Sequence, residues 1–508
     1  MLNIPFKNSI LSWVIKKRIH QIELFKKYPI DAQKAVFWKL IKSAKQTKFG
    51  KDHGFKDIDS YEDFKNQVPI RPYEDFYIYI EMLRKGKEDI LWPGKTKWFA
   101  KSSGTTNAKS KYIPITIEAL EDSHYKAGKD MLCLYCSNHE NSNIFNGKGL
   151  MLGGSQEKNS IYNFTDGDLS AILIDNFPFW VRMHRVPDSE TALMGEWEDK
   201  IEKISDQAMN EDITNITGVP SWMLLLLNKI IEKKGVDNLI EVWPNLELYI
   251  HGGVNFAPYK NKFETIIPSK KMNYLEVYNA SEGMFAIQDQ NDSKEMLLML
   301  DYGIFYEFIP METFFKNQKV IDLSEVELNK DYAIIISTNT GLWRYIIGDT
   351  VKFTSINPYR ITIVGRTKSF INAFGEELVV ENAETALEKI SKRYNAIINE
   401  YTAYPVFKDS KNAYHEWLIE FSKPPLDIDN FQVDLDVELQ NLNSDYEAKR
   451  NKNLLLSNLK IKTMEKGTFY NWLKENNRLG GQNKIRRLSN DDIIAKQILS
   501  VSAKFSTK

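Results

Sequence analysis

Short apolar segments of strand length alternate with helical segments between about residues 96 and 365, and this alternation restricts the possible fold more than any other feature. Strands are predicted at Gly149–Leu152, Leu246–His251, Tyr274–Tyr278, Phe305–Ile309, Tyr332–Ser337 and Arg360–Val364. Helices are predicted at Ile117–Cys136, Glu190–Met209, Trp222–Lys234 and Tyr259–Ile267. Apolar residues at three- and four-residue spacing also predict helices before residue 95. Such alternation is typical of α/β domains, in which helices cover β-sheets.

The pattern changes after about residue 366. The order there is helix, strand, strand, helix, strand, helix, which predicts a small α+β unit of ordinary domain size. A chain of 508 residues has room for more than one domain. We therefore expect a large α/β N-terminal domain of helix-covered sheets over residues 1–365 and a small α+β C-terminal domain over residues 366–508.

Composition excludes several classes of protein. The 67 basic and 68 acidic residues give a net charge of −1, which lacks the basic excess of nucleic-acid-binding proteins. The longest apolar run, Trp222–Leu227, is far shorter than the roughly 20 residues that cross a bilayer. The basic residues Lys16–Arg18 follow the N-terminal apolar residues, whereas in a secretory signal the basic residues come before the apolar stretch. A soluble cytoplasmic protein, without nucleic-acid partners or membrane insertion, is expected.

The two cysteines, Cys133 and Cys136, form a C-x-x-C pattern inside a predicted helix. Two cysteines are too few for a disulfide scaffold and suit a reducing compartment. No second pair of ligands accompanies them, so we interpret them as buried, apolar-like side chains and not as a redox or zinc site.

The segment Lys101–Lys111 concentrates hydroxyl groups, one glycine and lysines. Backbone N–H groups and hydroxyls in such a loop can surround phosphate oxygens, and a lysine can neutralise their charge. An ordinary surface turn has a similar composition, so this segment alone leaves both interpretations open. Its central residues are Ser102, Ser103, Gly104, Thr105 and Thr106.

A second candidate segment, Glu276–Glu282, places an aromatic side chain at a strand end, followed by a hydroxyl and a carboxylate. Tyr278 could stack on a purine, Ser281 could lie near phosphate, and Glu282 could hold Mg²⁺, which prefers oxygen ligands. A surface loop with a packed tyrosine is the simpler alternative for this fragment taken alone.

Three further segments are weak individually. Thr340–Asp349 ends in Gly-Asp, which suits a carboxylate accepting hydrogen bonds from a ribose diol. Gly365–Phe370 precedes the C-terminal unit, and Leu479–Leu488 is a glycine-containing loop that presents Lys484. For each of the three, a plain strand or turn is the commoner interpretation.

Taken together and in order, the five segments resemble the adenylate-forming superfamily, which includes acyl-CoA synthetases, peptide-synthetase adenylation domains and firefly luciferase. They resemble the auxin-responsive acyl-acid amido synthetases more closely. Gly218–Trp222 and Gly252–Asn255 are also similar to that family, and the resemblance covers essentially the whole chain.

Four positions depart from the family pattern. Ala108 replaces a glycine of the phosphate loop, and Trp343 replaces a tyrosine. Three residues separate Arg344 from Gly-Asp where the superfamily has one, which leaves the role of Arg344 open, while Tyr345 could fill the aromatic position. Lys368 occupies a hinge position that is aspartate in many superfamily members.

The resemblance implies an ATP-dependent, AMP-forming ligase that requires Mg²⁺. It adenylates a carboxylic acid, and an amine, typically of an amino acid, then displaces AMP. The small domain would rotate about a hinge near residues 365–369 between the two steps. The implied roles are phosphate binding by Ser102, Ser103, Gly104, Thr105 and Thr106, nucleotide contacts by Tyr278, Asn279, Ala280, Ser281, Asp349 and Arg366, metal binding by Glu282, and catalysis by Lys111 and Lys484.

Two alternatives share these motifs. An acyl-CoA ligase would use coenzyme A as the acceptor, and a noncatalytic protein could bind adenylate on the same scaffold. Trp222, Met223 and Phe256 lie in segments that could line the acyl pocket, although simple core positions are the commoner interpretation for such residues.

Overall fold

The structure, a computed structural model, describes most of the chain and divides it into two compact units. The described residues are 7–102, 111–253, 256–314, 318–367, 370–371, 378–409, 412–443, 446–447, 450, 456–479, 485–489 and 491–505. The first unit comprises Met1–Phe256, Lys262–Ile347 and Val351–Ile363, and the second comprises Ala257–Asn261, Gly348–Thr350 and Val364–Lys508.

The first unit begins with the predicted helical region. Its helices are α1 (Lys7–Lys27), α2 (Pro29–Ala44), α3 (Lys48–Asp52), α4 (Tyr61–Gln67) and α5 (Tyr77–Arg84), with 3₁₀ turns at Phe55–Asp57 and Tyr73–Phe76. The hydroxyls of Thr47 and Ser60 cap α3 and α4, because each accepts a hydrogen bond from a backbone N–H of the first helical turn.

Sixteen described strands begin in this unit. They are β1 (Trp98–Ser102), β2 (Lys111–Ile115), β3 (Lys148–Met151), β4 (Gln156–Asn159), β5 (Phe164–Gly167), β6 (Arg185–Val186), β7 (Ile213–Thr217), β8 (Leu248–Gly252), β9 (Asn273–Ala280), β10 (Gly283–Ile287), β11 (Met296–Leu298), β12 (Ile304–Pro310), β13 (Ile321–Asp322), β14 (Asp331–Thr338), β15 (Tyr345–Ile356) and β16 (Tyr359–Arg366).

The strands form two sheets. Four of them pair in the order β2-β1-β5-β4, with β1 parallel to β5. The other twelve pair in the order β13-β12-β14-β15-β16-β11-β10-β9-β8-β7-β3-β6. The run β6-β3-β7-β8-β9 is parallel, and β9, β10, β11 and β16 continue it as an antiparallel run.

Helices connect these strands. They are α6 (Ile117–Ala119), a π-helical segment (Leu120–Tyr125), α7 (Lys126–Asn138), α8 (Leu169–Asp175), α9 (Phe179–Met183), α10 (Ser189–Ala192), α11 (Trp197–Ala208), α12 (Pro220–Lys234), α13 (Ala257–Ile266) and α14 (Met311–Phe314), with 3₁₀ turns at Leu239–Glu241 and Leu323–Glu325. One large apolar core joins α2, α7 and the strands, through side chains such as Phe37, Leu134 and Phe285.

The second unit contains a three-stranded sheet, a two-stranded sheet and helices. Its elements are β17 (Phe370–Ile371), β18 (Leu378–Val379), α15 (Val380–Arg393), β19 (Ile397–Asp409), β20 (Asn412–Lys423), α16 (Ile428–Leu442), β21 (Lys460–Met464), α17 (Thr468–Glu475) and α18 (Ile493–Phe505). β19 pairs antiparallel with β20, and β20 pairs parallel with β21. Leu387, Trp417 and Leu435 lie in its core.

The α/β fold with a C-terminal α+β part agrees with the prediction, but one predicted helix is wrong. Glu190–Met209 is two helices, α10 and α11, because a segment containing Gly195 separates them. Cys133 and Cys136 carry free thiols in α7, and burial raises their pKa values to about 12 and about 11, so neither is a reactive thiolate. Among the helices that the structure describes, none is both long enough and apolar enough to cross a membrane.

Candidate active site

The carboxyl ends of the parallel strands place the second candidate segment at one edge of the large sheet. β3, β7, β8 and β9 run in the same direction, and ligands of open α/β sheets bind at this edge. β9 extends through Tyr278, Asn279 and Ala280, and Ser281 and Glu282 form a tight turn into β10, in which Gly283 pairs with Ala280. The sequence predicted a short loop, and the structure shows a two-residue hairpin turn.

A phenolic hydroxyl joins the predicted cation to the predicted metal ligand. Lys111 begins β2, and its ammonium donates a hydrogen bond of 3.4 Å to Tyr345 Oη. Tyr345 Oη in turn donates to Glu282 Oε1 over 3.1 Å. Tyr345 and Glu282 are buried, so these polar contacts are shielded from bulk water. The fold thus brings together Lys111 and Glu282 from distant parts of the sequence.

Ser281 carries a buried hydroxyl that the protein leaves available. Its Oγ has no hydrogen-bond partner among the described residues, although the residue is only 4% exposed. A buried polar atom without a partner costs about 1–3 kcal/mol, a cost that an oxygen-rich ligand would remove. Tyr278 is also buried and packs against Phe285, with ring centroids 4.8 Å apart.

Aromatic side chains support the start of β2. The backbone N–H of Tyr112 donates to Tyr73 Oη over 2.7 Å, and the Arg84 guanidinium lies 3.8 Å from the centre of the Tyr112 ring. The Lys111 ammonium lies 5.5 Å from the Tyr73 ring and 5.9 Å from the Tyr345 ring. These cation–π contacts favour the position of the ammonium beside the two rings.

Arg344 is committed to a structural role. Its guanidinium donates to both carboxylate oxygens of Glu307 and, through Nη1, to the backbone oxygens of Lys65 and Val68. The residue is buried, and these acceptors account for most of its N–H groups. The role that the sequence left open is therefore an anchor for the end of α4.

Trp343 is a core residue as well. It packs edge-to-face against Phe55, with ring centroids 4.7 Å apart, and its indole N–H donates to the backbone oxygen of Leu91 over 3.2 Å. The family tyrosine at this position is thus replaced by a buried structural side chain, whereas Tyr345 faces Lys111 and Glu282.

Asp349 and the predicted hinge belong to the second unit. Asp349 is buried in β15. Gly348 has φ +90°, and its carbonyl accepts a hydrogen bond of 2.8 Å from the backbone N–H of Thr367. Glycine is suited to this position because its positive φ is unfavourable for other residues. Arg366 ends β16, where only its main chain is described.

Several predicted residues lie outside the described residues. They are Ser103, Gly104, Thr105 and Thr106 of the phosphate loop, Ala108, Lys368 of the hinge, and Lys484. Ser102 ends β1, and only its main chain is described. The segment after Lys484 is placed by β19: the backbone N–H of Ala403 donates to the oxygen of Arg487, and the Arg487 guanidinium pairs with Glu400.

The Glu282 carboxylate is an oxygen ligand of the kind that Mg²⁺ prefers. Within the described part of the chain, no three His, Cys, Asp or Glu side chains cluster as a metal cage. Mg²⁺ is commonly held by one or two carboxylates together with substrate phosphates, so Glu282 fits it as a lone protein ligand. Glu276 lies in β9, before the turn that carries Glu282, and burial raises its pKa to about 7; only its place in the motif marked this residue in the sequence.

Comparisons with family models and with curated proteins show which family this chain belongs to. The GH3 family N-terminal, central and C-terminal domains match residues 18–272, 297–366 and 381–493. Indole-3-acetic acid-amido synthetase GH3.4 of Arabidopsis thaliana is 23% identical over 89% of this chain and 87% of its own length. Jasmonoyl-L-amino acid synthetase JAR4 of Nicotiana attenuata is 23% identical over 66% of this chain and 68% of its own.

Solved structures share the fold. The GH3.15 acyl acid amido synthetase bound to 2,4-DB aligns with a TM-score of 0.80 at 15% identity, over 96% of each chain. A 2-hydroxyisobutyryl-CoA ligase bound to an acyl-AMP aligns with a TM-score of 0.58 at 12% identity, over 94% of this chain and 92% of its own. The predicted family, fold class and ligase class are confirmed. The chain belongs to the GH3 family, which places it among the acyl-acid amido synthetases.

Proposed function

We propose that this amido synthetase adenylates a carboxylic acid with ATP and then transfers the acyl group to the amine of an amino acid. The observation that supports it most is the hydrogen-bonded series Lys111, Tyr345 and Glu282, which joins the two charged groups that adenylation requires. The Ser281 hydroxyl, which has no partner in the described part of the chain, adds a donor for a phosphate oxygen next to Glu282.

Adenylation turns a poor acyl donor into a reactive one. A carboxylate oxygen attacks the α-phosphorus of ATP, the bond to the β-phosphate breaks, and pyrophosphate leaves. The amine nitrogen then attacks the acyl carbon, AMP leaves, and the nitrogen loses one proton. Negative charge builds on the α-phosphate in the first step, so fixed positive charge and hydrogen-bond donors lower its barrier.

The described residues have distinct roles in this proposal. Glu282 holds Mg²⁺, which supplies positive charge to the phosphates, and Tyr345 orients the Glu282 carboxylate. Lys111 neutralises phosphate charge, Ser281 donates to a phosphate oxygen, and Tyr278 packs beside the adenine. Asp349 accepts hydrogen bonds from the ribose.

The remaining roles rest on the family resemblance. Ser102–Thr106 surround the phosphates, and Lys484 bridges the substrate carboxylate and the α-phosphate. The C-terminal domain rotates about residues 365–369 between the half-reactions, which also limits hydrolysis of the adenylate.

The test is an ATP–pyrophosphate exchange screen over aryl, indolyl and aliphatic carboxylic acids, with mass spectrometry of the products. Acids that support exchange are then incubated with an amino-acid mixture or with coenzyme A. Amide formation is the expected result, and thioester formation would instead identify an acyl-CoA ligase, the activity of a protein with a related fold. A folded protein that binds MgATP without exchange for any acid would contradict the proposal.

A further inference from the structure

Lys200 is fully buried although it carries an ammonium group. It lies in α11 with no exposed surface. Its Nζ donates to the backbone oxygens of Gly153 and Gly154, each over 2.7 Å, and to that of Met194 over 3.3 Å. Removing an ammonium from water costs several kcal/mol, and an apolar side chain at this helix position would avoid that cost.

Two of the three carbonyls that accept from Lys200, those of Gly153 and Gly154, belong to the loop between β3 and β4. This loop, Leu152–Ser155, is also fixed from its other side. The backbone N–H of Gly154 donates to Ser170 Oγ, and that of Ser155 donates to Asp168 Oδ2, each over 2.9 Å. A side chain at Gly154 would collide with the Asp168 carboxylate, so the backbone path is tightly defined.

The same loop connects the two sheets that carry the proposed site. At one end, β3 shares the large sheet with β9, which leads into Ser281 and Glu282. At the other end, Gln156 of β4 pairs with Gly167 of β5, and Gly167 pairs with Ala100 of β1. β1 leads into the phosphate loop, so Leu152–Ser155 links the metal-binding edge to the phosphate-binding edge.

The loop also contacts a segment that the sequence associates with the acyl pocket. The backbone N–H of Leu152 donates to the oxygen of Thr217 over 3.2 Å. A Cβ on Gly218 would lie 3.6 Å from Leu152 Cβ and 3.0 Å from Met223 Cε, so these three residues pack together. Movement of the loop would therefore be transmitted to this apolar wall.

We propose that Lys200 is a positioning residue of the adenylation half-reaction, which fixes the Leu152–Ser155 loop and through it the spacing between β1 and the turn that carries Glu282. This proposal rests on the proposed function. Burial lowers the pKa of Lys200 to about 8, and the nearby Asp168 carboxylate opposes this shift. No contact with substrate is required of it.

The test compares Lys200→Met with Lys203→Met, an exposed lysine of the same helix. Lys200→Met should reduce kcat for pyrophosphate exchange roughly 10-fold while KM for ATP changes less than about 3-fold, because misalignment affects the transition state more than nucleotide binding. Lys203→Met should retain the wild-type kcat. Equal kcat values for the two variants, or a loss confined to thermal stability, would overturn the proposal.

Hydrogen–deuterium exchange separates this proposal from the proposed function. In Lys200→Met, the amides of Leu152, Gly154 and Ser155 should exchange at least 10-fold faster, and those of α2, which is remote from the loop, should be unchanged. Unchanged loop exchange would refute the role of Lys200 whether or not the wild type adenylates any acid. If Lys200→Met does not fold, Ser170→Ala, which removes the acceptor for the Gly154 amide, should show the same changes to a smaller extent, and its behaving as wild type would refute the proposal.

Discussion

At the scale of single residues, the hydroxyl of Tyr345 joins Lys111 to Glu282, and Tyr345→Phe tests what that hydroxyl contributes. The ring keeps its place in the core, but the carboxylate loses one donor, worth about 1.5 kcal/mol for a charged acceptor. Pyrophosphate exchange should fall roughly 10-fold and require more Mg²⁺ for half-maximal rate, which a Mg²⁺ titration measures. An unchanged titration curve would show that Tyr345 does not orient the metal ligand.

Glu276 provides a prediction about pH. Burial raises its pKa from 4.5 to about 7, so between these values the folded protein holds a proton that the unfolded chain has lost. Stability should therefore fall as the pH rises from about 4.5 to about 7, by up to about 3 kcal/mol if the shift is expressed fully. Glu276→Gln removes this titration, so the variant should gain thermal stability over the wild type at pH 8 but not at pH 4.5.

Glu190→Gln is the matched control for this measurement, because Glu190 is exposed. Its melting temperature should follow that of the wild type at every pH. If Glu276→Gln also follows the wild type, then Glu276 is ionised in the folded protein at neutral pH, and its burial does not control its titration.

At the scale of elements, hydrophobic periodicity predicted the long helices and the buried strands well. The predicted strands Tyr332–Ser337 and Phe305–Ile309, for example, are one residue shorter than β14 and β12 at each end, and the predicted helix Trp222–Lys234 ends at the same residue as α12. Predictions failed where tertiary contacts define the element. β1 and β2, which flank the phosphate loop in the sequence, pair as an antiparallel hairpin. Neither strand was predicted, because the polar, glycine-containing composition between them is typical of a loop. Ile493–Phe505 forms α18, and no helix was predicted there although its apolar residues have helical spacing in the sequence.

Arg344 shows how an element can be anchored by one side chain. Its pairing with Glu307 joins β15 and β12 to the end of α4. Arg344→Met leaves the Glu307 carboxylate buried without its cation, which costs roughly 3–5 kcal/mol. Urea unfolding should show this loss, and the double change with Glu307→Met should recover part of it. A large increase in KM for ATP without loss of stability would instead indicate contact with nucleotide.

At the scale of the whole molecule, motif order predicted the family and its candidate site residues, but not the contacts between those residues. Lys111 and Glu282 were both predicted from local composition and family resemblance. The sequence could not predict their connection through Tyr345, which lies 234 residues from Lys111 and 63 from Glu282. Lys200 was not predicted for the same reason, because the two loop oxygens that accept from it lie 47 and 46 residues away in the sequence.

The variant Lys484→Ala tests whether this residue of the C-terminal domain acts in adenylation but not in amide formation. A lysine is a compact cation with three donors, suited to oxygens of two different groups at once. On the proposed mechanism it stabilises the α-phosphate while that centre is five-coordinate, so Lys484→Ala should affect rate more than ATP affinity. Pyrophosphate exchange should fall about 10²-fold or more, the scale of removing one preorganised donor.

Amide formation from a supplied acyl-adenylate should be much less affected in Lys484→Ala, because the proposed rotation removes this lysine from the site before the amine attacks. Lys466→Ala, an exposed lysine of the same unit, is the control and should behave as wild type in both assays. Two other results have clear meanings. Near-normal pyrophosphate exchange in folded Lys484→Ala would indicate that Lys111 or Arg486, and not Lys484, has the catalytic role. Equal losses in both half-reactions would argue that Lys484 stays in place throughout, and that the domain does not rotate between them.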